Sequence, residues 1–187
     1  MNNYGVLFDA NVLVNACLRD TLLRLAEEPR FYVPRWSDDI IDELTRTLEL
    51  KLHRTPAQTS HLVRQLQDHF REAWVTRYKR LIPVMTNHSK DRHVLAAAVA
   101  GRVQTIVTLN LKHFPTAALA EWDIEAQAPD DFLTHQFHRE PALIVAKLLA
   151  QAAAIQRNLS QVLDPLGLLA PHFVALVRTH TEIWGAE

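Results

Sequence analysis

The sequence predicts an α/β fold: a three-layer sandwich with a central, mostly parallel sheet between helices, and extra helices at the C-terminal end. Short apolar runs of strand length alternate with longer segments of helical periodicity. The first of these runs, Gly5-Val6-Leu7-Phe8, is continuously apolar, as expected of a strand buried on both faces. With 4 Gly and 9 Pro in 187 residues, the chain is too poor in turn formers for an architecture of many short strands.

The elements follow in order. Tyr4 to Phe8 reads as a strand ending at Asp9. From Asn11, the residues Val12, Cys17, Leu22, Leu23 and Leu25 have helical spacing, closed by Glu27-Glu28-Pro29. Phe31 to Pro34 is a second strand. Ser37 suits an N-cap, with Asp38 and Asp39 in the first turn and Ile40, Ile41, Leu44 and Leu48 as the apolar stripe. A long amphipathic helix is expected from Pro56 to Arg80, with Leu62, Leu66, Phe70 and Trp74 on one side, followed by a short strand from Leu81 to Val84. Asp91 opens a helix ending near Gly101, Thr105 to Thr108 is a β-branched strand, and Asp123 to Ala126 is a final strand. Two further helices are expected at Glu140–Arg157 and Pro171–Ile183, joined through Pro165 and Gly167. The expected division is a body over 1–138 and a helical extension over 139–187, packed on the body or forming a partner surface. Leu143, Val145, Leu148, Leu149, Phe173, Leu176 and Val177 are candidate contacts for either arrangement.

Composition limits the function classes. Hydrophobic residues make up 48% and charged residues 22%, which argues against extensive disorder. The lone Cys17 excludes an internal disulfide and a cysteine-based zinc site, and favours a reducing, cytoplasmic setting. Met1 to Gly5 lacks the basic and apolar regions of a secretion signal, and no run reaches the roughly 20 apolar residues of a membrane helix. Residues 1–115 carry 16 Lys and Arg against 12 Asp and Glu, whereas residues 116–187 carry 4 against 9. A mildly basic body attracts polyanions, but this balance is equally that of an ordinary solvated surface.

Parallel sheets place their binding crevice beyond the C-terminal ends of the strands. Asp9 follows the first strand, Asn110 follows the strand at 105–108, and Asp91 stands before a helix. Singly, each has a structural explanation as a strand end, helix cap or turn residue, and Glu43 could be a solvated helix acid. Together the segments Phe8-Asp9-Ala10-Asn11-Val12, Asp42-Glu43-Leu44, Asp91-Arg92-His93-Val94-Leu95 and Thr108-Leu109-Asn110-Leu111-Lys112-His113 carry more weight.

In these four ordered segments the sequence resembles the PIN-domain family, specifically its VapC-type toxins, over roughly residues 4–135. The tail from Glu140 is similar to the extension of one subgroup. The resemblance implies a magnesium- or manganese-dependent endoribonuclease with Asp9, Glu43, Asp91 and Asn110 as catalytic positions. Asp9, Asp91 and Glu43 would be the metal-holding acids, and Asn11, Thr108 and His113 supporting residues. Asn110 departs from the pattern, because many relatives carry an acid there; one bound ion is therefore expected rather than two. The resemblance also implies an RNA substrate, a small antitoxin partner and a homodimer.

The physical logic agrees. Two carboxylates about 4 Å apart repel by about 4 kcal/mol at an effective dielectric of about 20. Three in one pocket need a cation between them or raised pKa values. Hard oxygen donors that leave room for water suit magnesium or manganese. Lys90, Arg92 and Lys112 flank the acids and could hold RNA phosphates; His93 and His113 could contact the scissile phosphate; Arg77 to Arg80 could form a basic rim.

Two rivals are considered. A haloacid-dehalogenase-type phosphatase needs an acid two residues after the first, where this chain has Asn11, and paired acids after a late strand, which Thr108 to His113 lacks. A catalytically weak or inactive PIN-like protein that binds RNA or a partner is the alternative favoured by Asn110.

Overall fold

A computed structural model describes residues 4–184, apart from the side chain of Trp184. Met1, Asn2 and Asn3, part of the segment read above for a secretion signal, lie outside the described residues, as do the last three residues of the 139–187 extension. The strands are β1 (Gly5–Phe8), β2 (Val33–Arg35), β3 (Thr105–Val107) and β4 (Glu125–Gln127). The helices are α1 (Ala10–Val14), α2 (Ala16–Ala26), α3 (Asp38–Leu52), α4 (Pro56–His69), α5 (Arg92–Ala100) and α6 (Thr116–Ala120). Towards the C-terminus follow α7 (Pro129–Arg139), α8 (Pro141–Ala154), α9 (Leu159–Leu166) and α10 (Pro171–Trp184). The chain divides into two compact units, Met1–Val14 with Tyr32–Gln127, and Asn15–Phe31 with Ala128–Glu187.

The first unit holds the sheet, in the order β2-β1-β3-β4 with every pair parallel. Strands β1 and β3 are buried at every residue, so both faces of the sheet are covered, as the continuous apolar runs require. In the β1–β3 register Phe8 stands opposite Val107, so the next residues, Asp9 and Thr108, emerge side by side at the C-terminal edge. The strand order reverses direction between β1 and β3, and α/β sheets bind ligands at such a switch point.

Local chemistry accounts for the helices around this edge. Ser37 caps α3, its Oγ accepting from the Ile40 N–H at 3.4 Å, and Ile40, Ile41, Leu44 and Leu48 are buried. Thr55 and Gln58 form a reciprocal capping box at the start of α4.

The long helix expected from Pro56 to Arg80 ends at His69. Only Thr59 and Leu66 of α4 are buried, so its stripe gains little from being extended. Instead Phe70 leaves helical geometry, and Phe70 and Trp74 turn inward to meet the fully buried Trp36 edge-to-face, at centroid distances of 5.9 and 5.4 Å. Trp36 N–H donates to Ala73 O at 3.0 Å and Trp36 O accepts from Val75 N–H at 2.8 Å, which replaces the helical bonds given up. Leu81 to Val84, expected as a strand, lies in a 3-10 turn over Lys79–Val84, with Pro83 unable to donate to any ladder.

The second unit is helical. The single helix expected after Asn11 breaks at Asn15, whose side chain accepts from the Leu18 N–H at 3.0 Å and so starts α2 as a separate helix. Helix α7 is absent from the sequence reading, although Pro129, Asp130 and Asp131 at its start and His138 and Arg139 at its end are ordinary boundary signals. Helix α9, read as a joining segment, is capped by Asn158 and carries Pro165 near its C-terminal end. Asp130 accepts from the backbone N–H groups of His172 and Phe173 at 3.2 and 2.9 Å, capping α10 from another helix.

Among the residues offered as a partner surface, Val145, Leu148, Phe173 and Val177 are buried, while Leu149 is exposed. Thr21 Oγ1 donates to Gln151 Oε1 at 2.9 Å and Gln151 Nε2 donates to Cys17 O at 3.3 Å, joining α2 to α8 through a buried polar contact. Helix α2 therefore belongs to the C-terminal helices, although about a hundred residues separate it from them in sequence. Among the described residues no helix is long and apolar enough to cross a membrane.

Candidate active site

Asp9 leaves the end of β1 with its backbone N–H bonded to Val107 O at 3.1 Å, which fixes it against β3. Its Oδ2 accepts from Asn11 Nδ2 at 2.6 Å and from Thr108 Oγ1 at 2.7 Å. Thr108, wholly buried, in turn accepts from Asn11 Nδ2 at 3.1 Å and from the Asn110 N–H at 3.0 Å. Asn11 Oδ1 accepts from the Leu109 N–H at 3.0 Å. Asn11 thus ties the first turn after β1 to the loop after β3, with Asp9 held at the junction.

Asp91 ends a 3-10 turn, Ser89–Asp91, and occupies the N-cap position of α5, yet its carboxylate does not cap the helix. Its Oδ2 is instead paired with His113 Nδ1 at 2.7 Å. Glu43, on α3, is half exposed with Oε2 3.6 Å from His93 Nε2, a charge contact longer than a hydrogen bond. His93 Nε2 is buried and, among the described residues, has no hydrogen-bond partner.

The electrostatics shows that the three acids share a field. Burial pushes the Asp9 carboxyl from an ordinary 3.8 up to about 6; the charges of Asp91 and Glu43 push the same way, while the Thr108 hydrogen bond and His93 pull it down. The His93 imidazole holds Glu43 below the usual carboxylate range. Burial opposes protonation of His93, but Glu43, Asp39 and Asp9 outweigh it and raise the imidazole above 6.5.

Asp9, Asn11 and Thr108 are joined by direct hydrogen bonds, and Asp91 and Glu43 act on them through charge. Asn110 contributes its backbone N–H, with φ −108° and ψ 50°. Its side-chain amide makes no hydrogen bond among the described residues. Of the three cations, Lys90 lines an open groove of about 500 Å³ with Asp39, Asp42, Glu43, Arg46, Thr47 and His93. Arg92 Nε donates to Asn87 O at 3.4 Å, and Lys112 is exposed on the turn after Asn110. In the basic run, Lys79 pairs with Asp39 at 3.2 Å. His93 and His113, offered to a phosphate, both face carboxylates.

Sequence reasoning missed Asn87, His88 and Arg46. The buried Asn87 donates to Asp91 O at 3.0 Å, and the His88 ring stacks on that of His113. Their position immediately before Ser89-Lys90-Asp91 was the available signal.

The donor set suits a hard divalent cation. Asp9 and Asp91 each commit Oδ2 to the protein and leave Oδ1 without a hydrogen bond among the described residues. Among those residues no group of three or more His, Cys, Asp and Glu side chains is arranged to enclose an ion. Carboxylate oxygens that accept no protein hydrogen bond are donors of the kind that magnesium or manganese takes together with retained water.

A family model for the PIN domain matches residues 5–112, more than half of the chain and the span that carries Asp9, Glu43, Asp91 and Asn110. VapC50 of Mycobacterium tuberculosis strain H37Rv, named as a candidate ribonuclease, is 45% identical over 104 residues. That alignment covers 54% of this chain and 62% of the relative, so the chain spans less than two thirds of the relative's length. No solved structure matches the chain. With the parallel sheet in place, Asp9 at the β1–β3 edge and the family model spanning both, the chain belongs to the PIN-domain family.

Proposed function

We propose that this protein is a magnesium- or manganese-dependent endoribonuclease that hydrolyses RNA phosphodiester bonds, acting as the toxin of a type II toxin–antitoxin pair. The observation that carries this reading is Asp9: a buried carboxyl at the sheet's switch point, raised to about 6 by burial and by two neighbouring acids. A site that concentrates uncompensated negative charge where ligands bind is suited to a cation, and a cation is what lets RNA approach it. Family membership and the name of the 45%-identical relative support the reaction class.

Asp9 and Asp91 would hold the ion, and Asn11 and Thr108 keep Asp9 in place. A divalent ion bound there supplies Lewis acidity and an oriented water for attack on phosphorus. Glu43, paired with His93, orients that water from the groove side. Asn110 keeps the loop after β3 closed on Thr108 through its backbone. Lys90, Arg92 and Lys112 hold RNA phosphates, with Arg92 Nε tied to the Asn87 carbonyl. A small antitoxin that covers the acidic groove, a homodimer and a cytoplasmic setting complete the proposal.

Incubation of the purified protein with RNA and magnesium or manganese should give cleavage that chelation by EDTA stops and that Asp9→Asn reduces by at least about 100-fold, near the loss of a principal catalytic group. Cleavage that survives both chelation and the substitution would sink the metal-nuclease reading. RNA binding without cleavage in any metal would favour the alternative suggested by Asn110, a PIN-like binding protein.

A further inference from the structure

We infer that His113 is a positioning residue for Asp91, and that His88, stacked on it, holds its imidazole in the required orientation. The inference rests on the reading of Asp91 as a cation-holding acid. An aspartate at an N-cap ordinarily accepts from the backbone of the first helical turn. Asp91 holds that place on α5 and does not do so; its Oδ2 meets His113 Nδ1 at 2.7 Å. A carboxylate only accepts, so Nδ1 carries the proton and donates.

The terminal torsion of an aspartate is broad and roughly two-fold, so a free carboxylate sweeps its oxygens through many directions. Fixing Oδ2 fixes Oδ1, the oxygen left open for a ligand. The support behind this contact is layered. The His88 and His113 rings lie 4.0 Å apart between centroids at an interplanar angle of 10°. His88 N–H donates to His113 O at 3.1 Å, and His113 N–H donates to Asn110 O at 2.8 Å. On the other strand of the contact, Asp91 N–H donates to His88 O at 2.9 Å, and the buried Asn87 holds Asp91 O at 3.0 Å. Asn87 and His88 therefore fix the backbone of Asp91 while His113 fixes its side chain. The acid and the loop that bears Asn110 are clamped as one piece. His113 stands three residues after Asn110, so this clamp ties Asp91 to the loop that follows β3.

The test is manganese affinity of the full chain, read by electron paramagnetic resonance or calorimetry without RNA, with circular dichroism and thermal unfolding to establish folding. His113→Phe keeps a ring to stack on His88 and removes the donor; His113→Asn keeps an N–H at the place of Nδ1 and removes the ring. His113→Phe is expected to bind manganese about 10- to 100-fold more weakly than wild type, and His113→Asn to recover most of that loss. His88→Ala is expected to weaken binding less than His113→Phe, and His88→Phe to restore it. Wild-type affinity in folded His113→Phe, or equal weakness of folded His113→Asn and His113→Phe, overturns the positioning role. Asp91→Asn separates the two levels. If it binds manganese as wild type does, or if wild type binds none, the reading of Asp91 itself has failed. If Asp91→Asn is weak while His113→Phe is normal, only the positioning role has failed.

Discussion

Thr108 Oγ1 donates to Asp9 Oδ2 at 2.7 Å across 99 residues of chain, and the same hydroxyl accepts from Asn11 Nδ2 and from the Asn110 N–H. A hydroxyl has one proton and two lone pairs, so Thr108 is saturated and its proton is committed to Asp9. That bond favours the charged carboxylate against the burial that disfavours it.

Replacing Thr108 by Val removes the bond and should raise the Asp9 pKa above about 6, whereas Thr108→Ser should leave it near that value. Titration of the carboxyl carbon by NMR in the metal-free protein reads the difference directly. An unchanged or lowered value in Thr108→Val would show that the hydroxyl does not govern Asp9. The substitution also removes the acceptor of the Asn110 N–H and one of the two acceptors of Asn11 Nδ2, and should cost about 0.5–1.5 kcal/mol of stability.

The raised pKa of Asp9 sets a pH dependence for the metal-free protein. Its folded value, about 6, exceeds the ordinary 3.8, so the folded state holds the proton more tightly than the unfolded chain. The stability this contributes is present in full below about pH 4 and is lost as pH rises through about 6. In EDTA, wild type should therefore fall in stability relative to Asp9→Asn between about pH 4 and about pH 8, by up to about 3 kcal/mol at 1.36 kcal/mol per unit. Urea unfolding at several pH values measures it; parallel curves for the two proteins would contradict the prediction.

Removal of the Glu43 charge should act on His93. The carboxylate holds His93 above 6.5 against the opposing effect of burial. Glu43→Gln should consequently lower the imidazole pKa, seen in the proton shifts of the His93 ring on titration. A rise, or no change, would mean that Asp39 and Asp9 set the value instead.

In the helical unit, Gln151 is 2% exposed and bonded to both Thr21 and Cys17. Gln151→Leu keeps approximate volume and removes the bonds to Thr21 and Cys17, which keep the Thr21 Oγ1 to Cys17 O bond between them, and should lower stability by about 0.5–1.5 kcal/mol in thermal or urea unfolding. Manganese affinity should be unchanged, because the substitution lies outside the unit that carries the acids. A loss of manganese binding in the folded variant would contradict this assignment.

Much of the fold is written in local pattern. Ser37 before Asp38 and Asp39, with an apolar stripe from Ile40 to Leu48, specifies α3 because cap, dipole and periodicity all agree. The continuous apolar run ending at Phe8 and the β-branched run from Thr105 likewise specify buried parallel strands. Local pattern fails where distant residues compete for the same side chains. The periodicity of Leu62, Leu66, Phe70 and Trp74 is helical throughout, but Trp36 draws Phe70 and Trp74 out of it. Helix α2 looks like part of the segment after β1, yet its buried Thr21 finds its partner on α8.

The sequence by itself determined the α/β class, the order of the acids and their places at strand and helix ends, because these depend on residue type and spacing along a few turns of chain. Only the tertiary structure decided what each acid faces. Asp9 meets Thr108 because parallel pairing of β1 and β3 aligns Phe8 with Val107. Asp91 meets His113 rather than its own helix, and Glu43 meets His93 rather than solvent alone. Those pairings are set by distances between segments tens of residues apart, and they decide which carboxyl is raised, which is lowered and which oxygen stays open.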